Sequence, residues 1–529
     1  MKKYLALTGF ILLISLALRI FQLSSAPLGF TWDEAALGYN AYSLLKTGRD
    51  EFGKFMPVIF RSFGDYKPGL YIYTALPPVA IFGLNEFSTR LPSAIFGTLL
   101  VGVIGLFSWK LFGKKASLVS IGLLAINPWA IHFSRGAWEA NVSFFFTALA
   151  SLLFIRKKYL LSALFFGLTF WTYQGAKLFT PLIILALIIS FRLLIYKKFI
   201  LPAILLSAFI FPLLLNFSSQ SGRLVVLGVF NYVRPAAVIS NILRQDNLSV
   251  PDLVFNFFHA EIIDQTRGIV ERFLNHYSPQ FLFISGDWSN LRHTTPFTGY
   301  FYITEFITIL LGLSFLLKNI SPGVRFLLLW LIFSVLPSAF SRDIVSGVRS
   351  LPELFPLIIF SSIGMVRLLK RPLILVPLTL ITLLLFIYYL DMYYVHASKY
   401  AAADWLYPYK PALESIKPKL NSVDRVVMTS SLGQPYIFVL FYYQIDPKYT
   451  QAQLSKLKSD SVDVSHVDSF DKFTFTKFYW PKERGEHATL YIGDQFELPE
   501  TDLHQSNLTR LPDINYPNGS IAWKIVELK

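Results

Sequence analysis

Among its 529 residues the chain has no cysteine, which excludes disulfides and thiolate metal sites and is compatible with an oxidising exterior. Charged residues are scarce at 15%, against 54% hydrophobic and 16% aromatic, more apolar surface than a soluble domain can hide. There is no Walker A loop, no Rossmann glycine fingerprint after a strand and no His-Glu-x-x-His. Nucleotide-driven chemistry and a zinc protease both lose support. No internal repeat or low-complexity tract is present. The net charge of +15 falls in short clusters between hydrophobic segments. That is the pattern of membrane topology and argues against nucleic-acid binding.

What is present reads as an α-helical polytopic membrane protein. Met1-Lys-Lys3 and the apolar run to Ile20 resemble a signal peptide, but Leu18 to Pro27 makes a poor cleavage site, so a retained first span is expected. Apolar segments near 4–23, 91–109, 116–133, 141–155, 160–173, 178–195, 199–216, 300–317, 324–340, 351–366 and 372–390 predict about eleven transmembrane helices. With the N-terminus inside, the turns at Lys110/Lys114/Lys115, Arg156/Lys157/Lys158, Lys197/Lys198, Lys318/Arg325 and Arg367/Lys370/Arg371 are all cytoplasmic, short and basic. The C-terminus is then outside. Residues 1–390 form the membrane unit, with large outer loops at 24–90 and 217–299. Residues 69–82, interrupted by prolines, are expected as a helix along the interface. Beyond 391 charge rises. Strand-like runs at 424–430, 473–479, 488–493 and 521–526, with a helix-like run at 435–443, predict a small extracytoplasmic α/β domain over 391–529.

The chemistry-bearing residues gather on the outer side. Asp33-Glu34 follows the first span by about ten residues. It reads either as first-turn acids behind a helix cap or as a base beside the lipid headgroups. Lys67-Pro68 is either a snorkelling interfacial lysine or a point charge for a phosphate leaving group. Asp65 can ligand a divalent cation or pair with Lys67. Arg90 either anchors a helix or meets phosphate. Arg135 and Glu139, four apart, form a plain ion pair if they share a helix, or a phosphate contact and its orienting acid. Tyr173, His293 and Arg349 also fall on outward turns, beside Lys177, Trp288 and Arg292.

Trp32-Asp-Glu34, Tyr66-Lys-Pro-Gly-Leu-Tyr71, Asn85-Glu-Phe-Ser-Thr-Arg-Leu-Pro-Ser93 and Ser134-Arg-Gly-Ala-Trp-Glu139, in that order, resemble the GT-C membrane glycosyltransferases. The branch they resemble comprises bacterial relatives of protein O-mannosyltransferases and lipid A aminoarabinose transferases. The resemblance spans roughly residues 1–390 and implies inverting transfer of a sugar from a polyprenyl phosphate to an acceptor hydroxyl on protein, lipid or glycan. It happens at the outer face of the cell membrane. Carried over by position, Asp33 (with Glu34) is the base and Lys67, Arg90, Arg135 and Arg349 contact donor phosphate. Asp65, Glu139, Tyr173 and His293 support the site. Some relatives hold a divalent cation at the residue before the Lys-Pro pair. Here that residue is Tyr66, so a metal depends on Asp65, and no other cofactor is implied. Three rival readings remain: a ligase or polymerase of lipid-linked glycans, a non-catalytic membrane scaffold displaying the tail domain, and a transporter or flippase. A flippase predicts mid-span charges and related halves, and neither is evident.

Overall fold

The computed structural model describes residues 2–63, 65–192, 197–216, 228–229, 234–454, 467–483, 488–504 and 506–529. Each of the eleven predicted apolar segments is helical, but they differ in reach. The first is α1 (Lys2–Ile20), followed by α2 (Trp32–Thr47), a hairpin of β1 (Ile59–Ser62) and β2 (Asp65–Pro68), and α3 (Leu70–Phe82). Then come α4 (Glu86–Phe112), α5 (Lys114–Ile126), α6 (Pro128–Arg135), α7 (Glu139–Ile155), α8 (Tyr159–Phe170), α9 (Ala176–Phe191) and α10 (Ile200–Leu215). Among the described residues six helices are long and apolar enough to cross a membrane: Lys2–Ile20, Glu86–Phe112, Lys197–Leu215, Pro322–Ala339, Leu351–Leu368 and Pro372–Tyr400. A seventh span results if α5 and α6, bent by 55°, count as one. The predicted spans at 141–155, 160–173, 178–195 and 300–317 are shorter helices of 17, 12, 16 and 15 residues. At about 1.5 Å per residue such helices fall short of a hydrocarbon core of about 30 Å. The helical membrane architecture stands, with six or seven candidate spans by length.

Local sequence explains the breaks. Asn127 caps α6 by accepting from the Ala130 amide, and Pro128 begins that helix where no N–H is needed, so α5 and α6 meet at an angle. Asn85 and Ser88 form a capping box that starts α4. Segment 70–82 is one helix despite Pro77 and Pro78. In the stretch after α10, helices form at Ala236–Gln245, Leu253–His259 and Glu261–Asn275.

The last long helix passes the predicted boundary at 390. It continues through Met392–His396 to Tyr400. Among the described residues the tail then builds a seven-stranded mixed sheet whose central strands Arg425–Met428, Phe473–Phe475 and Thr489–Gly493 run parallel. Strand Ile521–Leu528 pairs antiparallel with Thr489–Gly493. All four strand-like runs supply strands. The helix read at 435–443 is Pro435–Tyr442, fully buried from Pro435 to Phe441. It packs on α2: Phe441 meets Phe30 at 4.7 Å between ring centroids, and Tyr39 donates to the Ile445 carbonyl at 3.0 Å. The tail and the 24–90 loop therefore share one core.

Candidate active site

The site starts from the cap of α2. Thr31 Oγ1 accepts from the Glu34 amide at 3.3 Å, and the Glu34 carboxylate accepts from the Thr31 amide at 3.0 Å. This box fixes the first turn, so adjacent Asp33 and Glu34, about 100° apart around the helix, face different surroundings. Glu34 turns inward. It is buried and accepts from Arg90 at 2.8 and 3.1 Å and from the Ala137 amide at 2.9 Å. Arg90 is wholly buried and spends its remaining donors on the Leu23, Pro27 and Gly29 carbonyls at 3.2, 3.0 and 2.6 Å. All five guanidinium N–H groups are committed within the protein, leaving none for a phosphate. The pair is a clamp holding the chain between α1 and α2.

Asp33 turns outward, with its side chain 43% exposed, and is ion-paired with Lys67. Lys67 is held by the hairpin, where it lies opposite Phe60, and its ammonium sits 5.6 Å from the Phe63 ring centre. Pro68 keeps Lys67 extended. Gly69 is required by close approach, because a Cβ there would lie 2.1 Å from the Phe60 ring. The Tyr66 carbonyl accepts from Gln174 at 2.7 Å, which fastens the strand to the turn after α8.

Asp33 and Lys67 line an open cleft together with Asn40, Arg61, Ser62 and Glu139. Thus two acids and two cations, drawn from α2, the hairpin and the start of α7, converge. Tyr173 and Arg349 line a second cleft with Ser143 and Thr147. Glu139, Ser143 and Thr147 stand on successive turns of one face of α7, so the two clefts abut along that helix. Arg349 is paired with Asp343 and donates to Ser346 at 3.3 Å.

Two expected members are elsewhere. Arg135 ends α6 and Glu139 begins α7, so the four-residue spacing crosses a helix break and the expected ion pair along one helix does not apply. Arg135 is buried and donates to the Leu18, Phe21 and Ala26 carbonyls at 2.7, 2.6 and 2.8 Å. It thereby satisfies the open end of α1, a cation where a helix leaves carbonyls unpaired. His293 bonds the buried Asp287 through Nδ1 at 2.8 Å, and its ring packs edge-on to Trp138 at 5.5 Å. Burial raises the Asp287 pKa, but His293, Ser289 and the Gly347 amide outweigh it and leave the carboxylate below its ordinary range. His293 is thus part of a pin between the 287–293 turn and the loop that carries Arg349.

The side chain of Asp65 lies outside the described residues, and with it the expected cation site. Among the described residues no group of three or more His, Asp or Glu side chains is placed to hold a metal ion. Sequence reasoning missed Asn40 and Arg61. Asn40 was readable, since it sits seven residues after Asp33 on the same helical face. For Arg61, a strand residue in an aromatic run, the sequence carries no comparable signal.

Residues 67–215 match the family model described as dolichyl-phosphate-mannose-protein mannosyltransferase. The chain is similar to the crystal structure of ArnT from Cupriavidus metallidurans bound to undecaprenyl phosphate. Sequence identity is 13%, 99% of this chain and 97% of that chain are covered, and the TM-score is 0.56. The apo state of the same protein matches at 13% identity over 99% and 96%, with a TM-score of 0.53. No curated protein sequence matches. By whole-chain likeness to ArnT and by the family match over 67–215, this chain has the fold of the GT-C membrane glycosyltransferases that its sequence motifs resemble.

Proposed function

We propose that the chain is a glycosyltransferase that moves a sugar, with inversion, from a polyprenyl-phosphate donor to an acceptor hydroxyl on the outer face of the membrane. One observation carries the reading: Asp33 and Lys67, from separate outer segments, meet in the same open cleft. Transfer needs a base for the acceptor and cations for the departing phosphate. In the proposed step Asp33 takes the proton of the acceptor hydroxyl as its oxygen attacks the sugar carbon. The bond from that carbon to the phosphate oxygen breaks, and its electron pair leaves on the polyprenyl phosphate. Lys67 and Arg61 meet the phosphate charge. Lys67 also has a resting role, because its pairing with Asp33 keeps both ends of the cleft ordered until a phosphate competes for the ammonium. Arg349 and Tyr173, along α7, extend the donor site, and Glu139 stands between the two clefts. Arg90, Arg135 and Glu34 act by holding α1 and α2.

The ArnT structure described as bound to undecaprenyl phosphate supports a lipid-phosphate donor for this fold. The basic turns support a cytoplasmic N-terminus, with the cleft and the tail sheet outside. Measuring undecaprenyl phosphate binding to the purified chain in lipid nanodiscs tests the reading. Wild type binds saturably, and Lys67→Met weakens binding about tenfold or more, the worth of a hydrogen bond to a charged group. Equal binding by both would overturn the assignment of Lys67.

A further inference from the structure

Behind the cleft wall lies a buried polar cluster that sugar transfer leaves unused. Asn40, which lines the cleft, donates to Glu51 Oε1 at 3.1 Å and accepts from the Glu51 amide at 3.0 Å. Glu51 is completely buried, and its Oε2 meets the hydroxyl of Tyr436 at 3.5 Å. Tyr436 belongs to the tail helix Pro435–Tyr442, nearly 400 residues further along the chain. Its ring also meets Phe63 edge-on at 6.0 Å, and Phe63 is the ring beside the Lys67 ammonium. The tail thus reaches one wall of the cleft through Glu51 and Asn40 and the other through Phe63. Further bonds fasten the next tail helix, Pro447–Leu454, to α2 and the turn after it. Tyr39 pairs with Thr450 at 2.7 Å, and Gln451 donates to Ser43, Thr47 and the Asp50 carbonyl at 3.1, 2.8 and 3.0 Å.

The geometry points to Glu51 as a positioning residue that locks the tail helix against the cleft wall, making the tail a working part of the transfer site. The inference rests on the cleft being that site. Glu51 does this as a neutral acid, with Oε1 accepting from Asn40 and Oε2 facing the Tyr436 hydroxyl. Burial pushes its carboxyl up to about 8. Asp50 adds to the rise, while Asn40, Tyr436 and Arg61 oppose it. Tyr39 also feels its charge. Once ionised, Glu51 is a buried anion beside Arg61, and their attraction draws the guanidinium away from the cleft it lines. The site then loses a phosphate cation as pH rises.

Donor-lipid consumption between pH 6 and 10, with melting curves over pH 5 to 9, tests this on the full chain, Glu51→Gln and Glu51→Ala. Wild-type kcat is expected to fall about tenfold per pH unit above about 8. Glu51→Gln keeps the bonds and cannot ionise, so its rate at pH 7 stays within about threefold of wild type and the alkaline fall disappears. Glu51→Ala lowers kcat about tenfold or more between pH 6 and 8, where wild-type Glu51 is neutral and the lock is in place. An unchanged alkaline fall in Glu51→Gln, or wild-type rates in Glu51→Ala, overturns the inference. Melting separates this from failure of the transfer reading. The melting temperature of Glu51→Gln rises relative to wild type as pH goes from 5 to 8, whether or not any donor turns over. A pH-independent difference overturns the role of Glu51. A rising difference in a chain that consumes no donor overturns the transfer reading alone.

Discussion

Replacing Arg90 with methionine decides between a phosphate contact and a structural clamp. The substitution removes five hydrogen bonds at once, two to Glu34 and three to the carbonyls of Leu23, Pro27 and Gly29. Glu34 stays buried with its two amide donors and no counter-charge. Breaking one side of a buried ion pair costs about 3–5 kcal/mol, a large part of the roughly 5–15 kcal/mol that holds a typical protein folded. Arg90→Met should therefore lower the melting temperature and the yield of folded protein, while the folded fraction binds donor lipid with unchanged affinity. Glu34→Gln should lower stability in the same way, by less, because the amide oxygen can still accept one of the bonds. The assay is thermal unfolding in nanodiscs, followed by lipid binding normalised to folded protein. If Arg90→Met melts like wild type and loses lipid binding, Arg90 is a phosphate ligand and the clamp is refuted.

Arg349→Gln removes a cation from the second cleft without emptying the first. We expect KM for the lipid donor to rise about tenfold with kcat nearly constant, the pattern of uniform binding lost, and a fall in kcat alone would contradict it. His276 predicts an acid limb in stability. Its Nδ1 donates to the Arg272 carbonyl at 2.6 Å and its Nε2 accepts from the Ser346 amide at 3.0 Å, so a second ring proton would face an N–H. Burial lowers its pKa to about 4 from 6.5. The unfolded chain therefore binds a proton that the folded chain refuses. Stability is full above about 6.5 and falls by about 3 kcal/mol as pH drops to about 4. In His276→Gln melting curves that part of the acid dependence should be absent.

Much of this architecture was legible because its signals are local. Apolar runs of helical length and the strand-like runs of the tail each require a few neighbouring residues, and helices and strands form on them. What was illegible depends on distant partners. Asp33 and Glu34 look equivalent in sequence. Their division into a cleft acid and a clamp acid comes from Arg90, 56 positions away. Arg135 and Glu139 have the spacing of a helical ion pair, but Gly136 lies outside both α6 and α7, and Arg135 turns to the carbonyls at the end of α1. Span length was also misjudged. Hydrophobicity marks which segments are apolar, whereas where each helix stops is set by caps and prolines. The link from Glu51 to Tyr436 joins residues 385 apart and has no sequence signature at all.

The claim on which the rest depends is that Asp33 supplies the base in the cleft it shares with Lys67. The direct measurement is turnover of polyprenyl-phosphate sugars by the purified chain and by Asp33→Asn, with melting temperatures recorded alongside. Asp33 is partly exposed and the cap of α2 is Thr31, so the variant should melt within a few degrees of wild type while donor consumption drops about 10²–10⁴-fold, the usual worth of a general base. Turnover by Asp33→Asn at the wild-type rate would contradict the account.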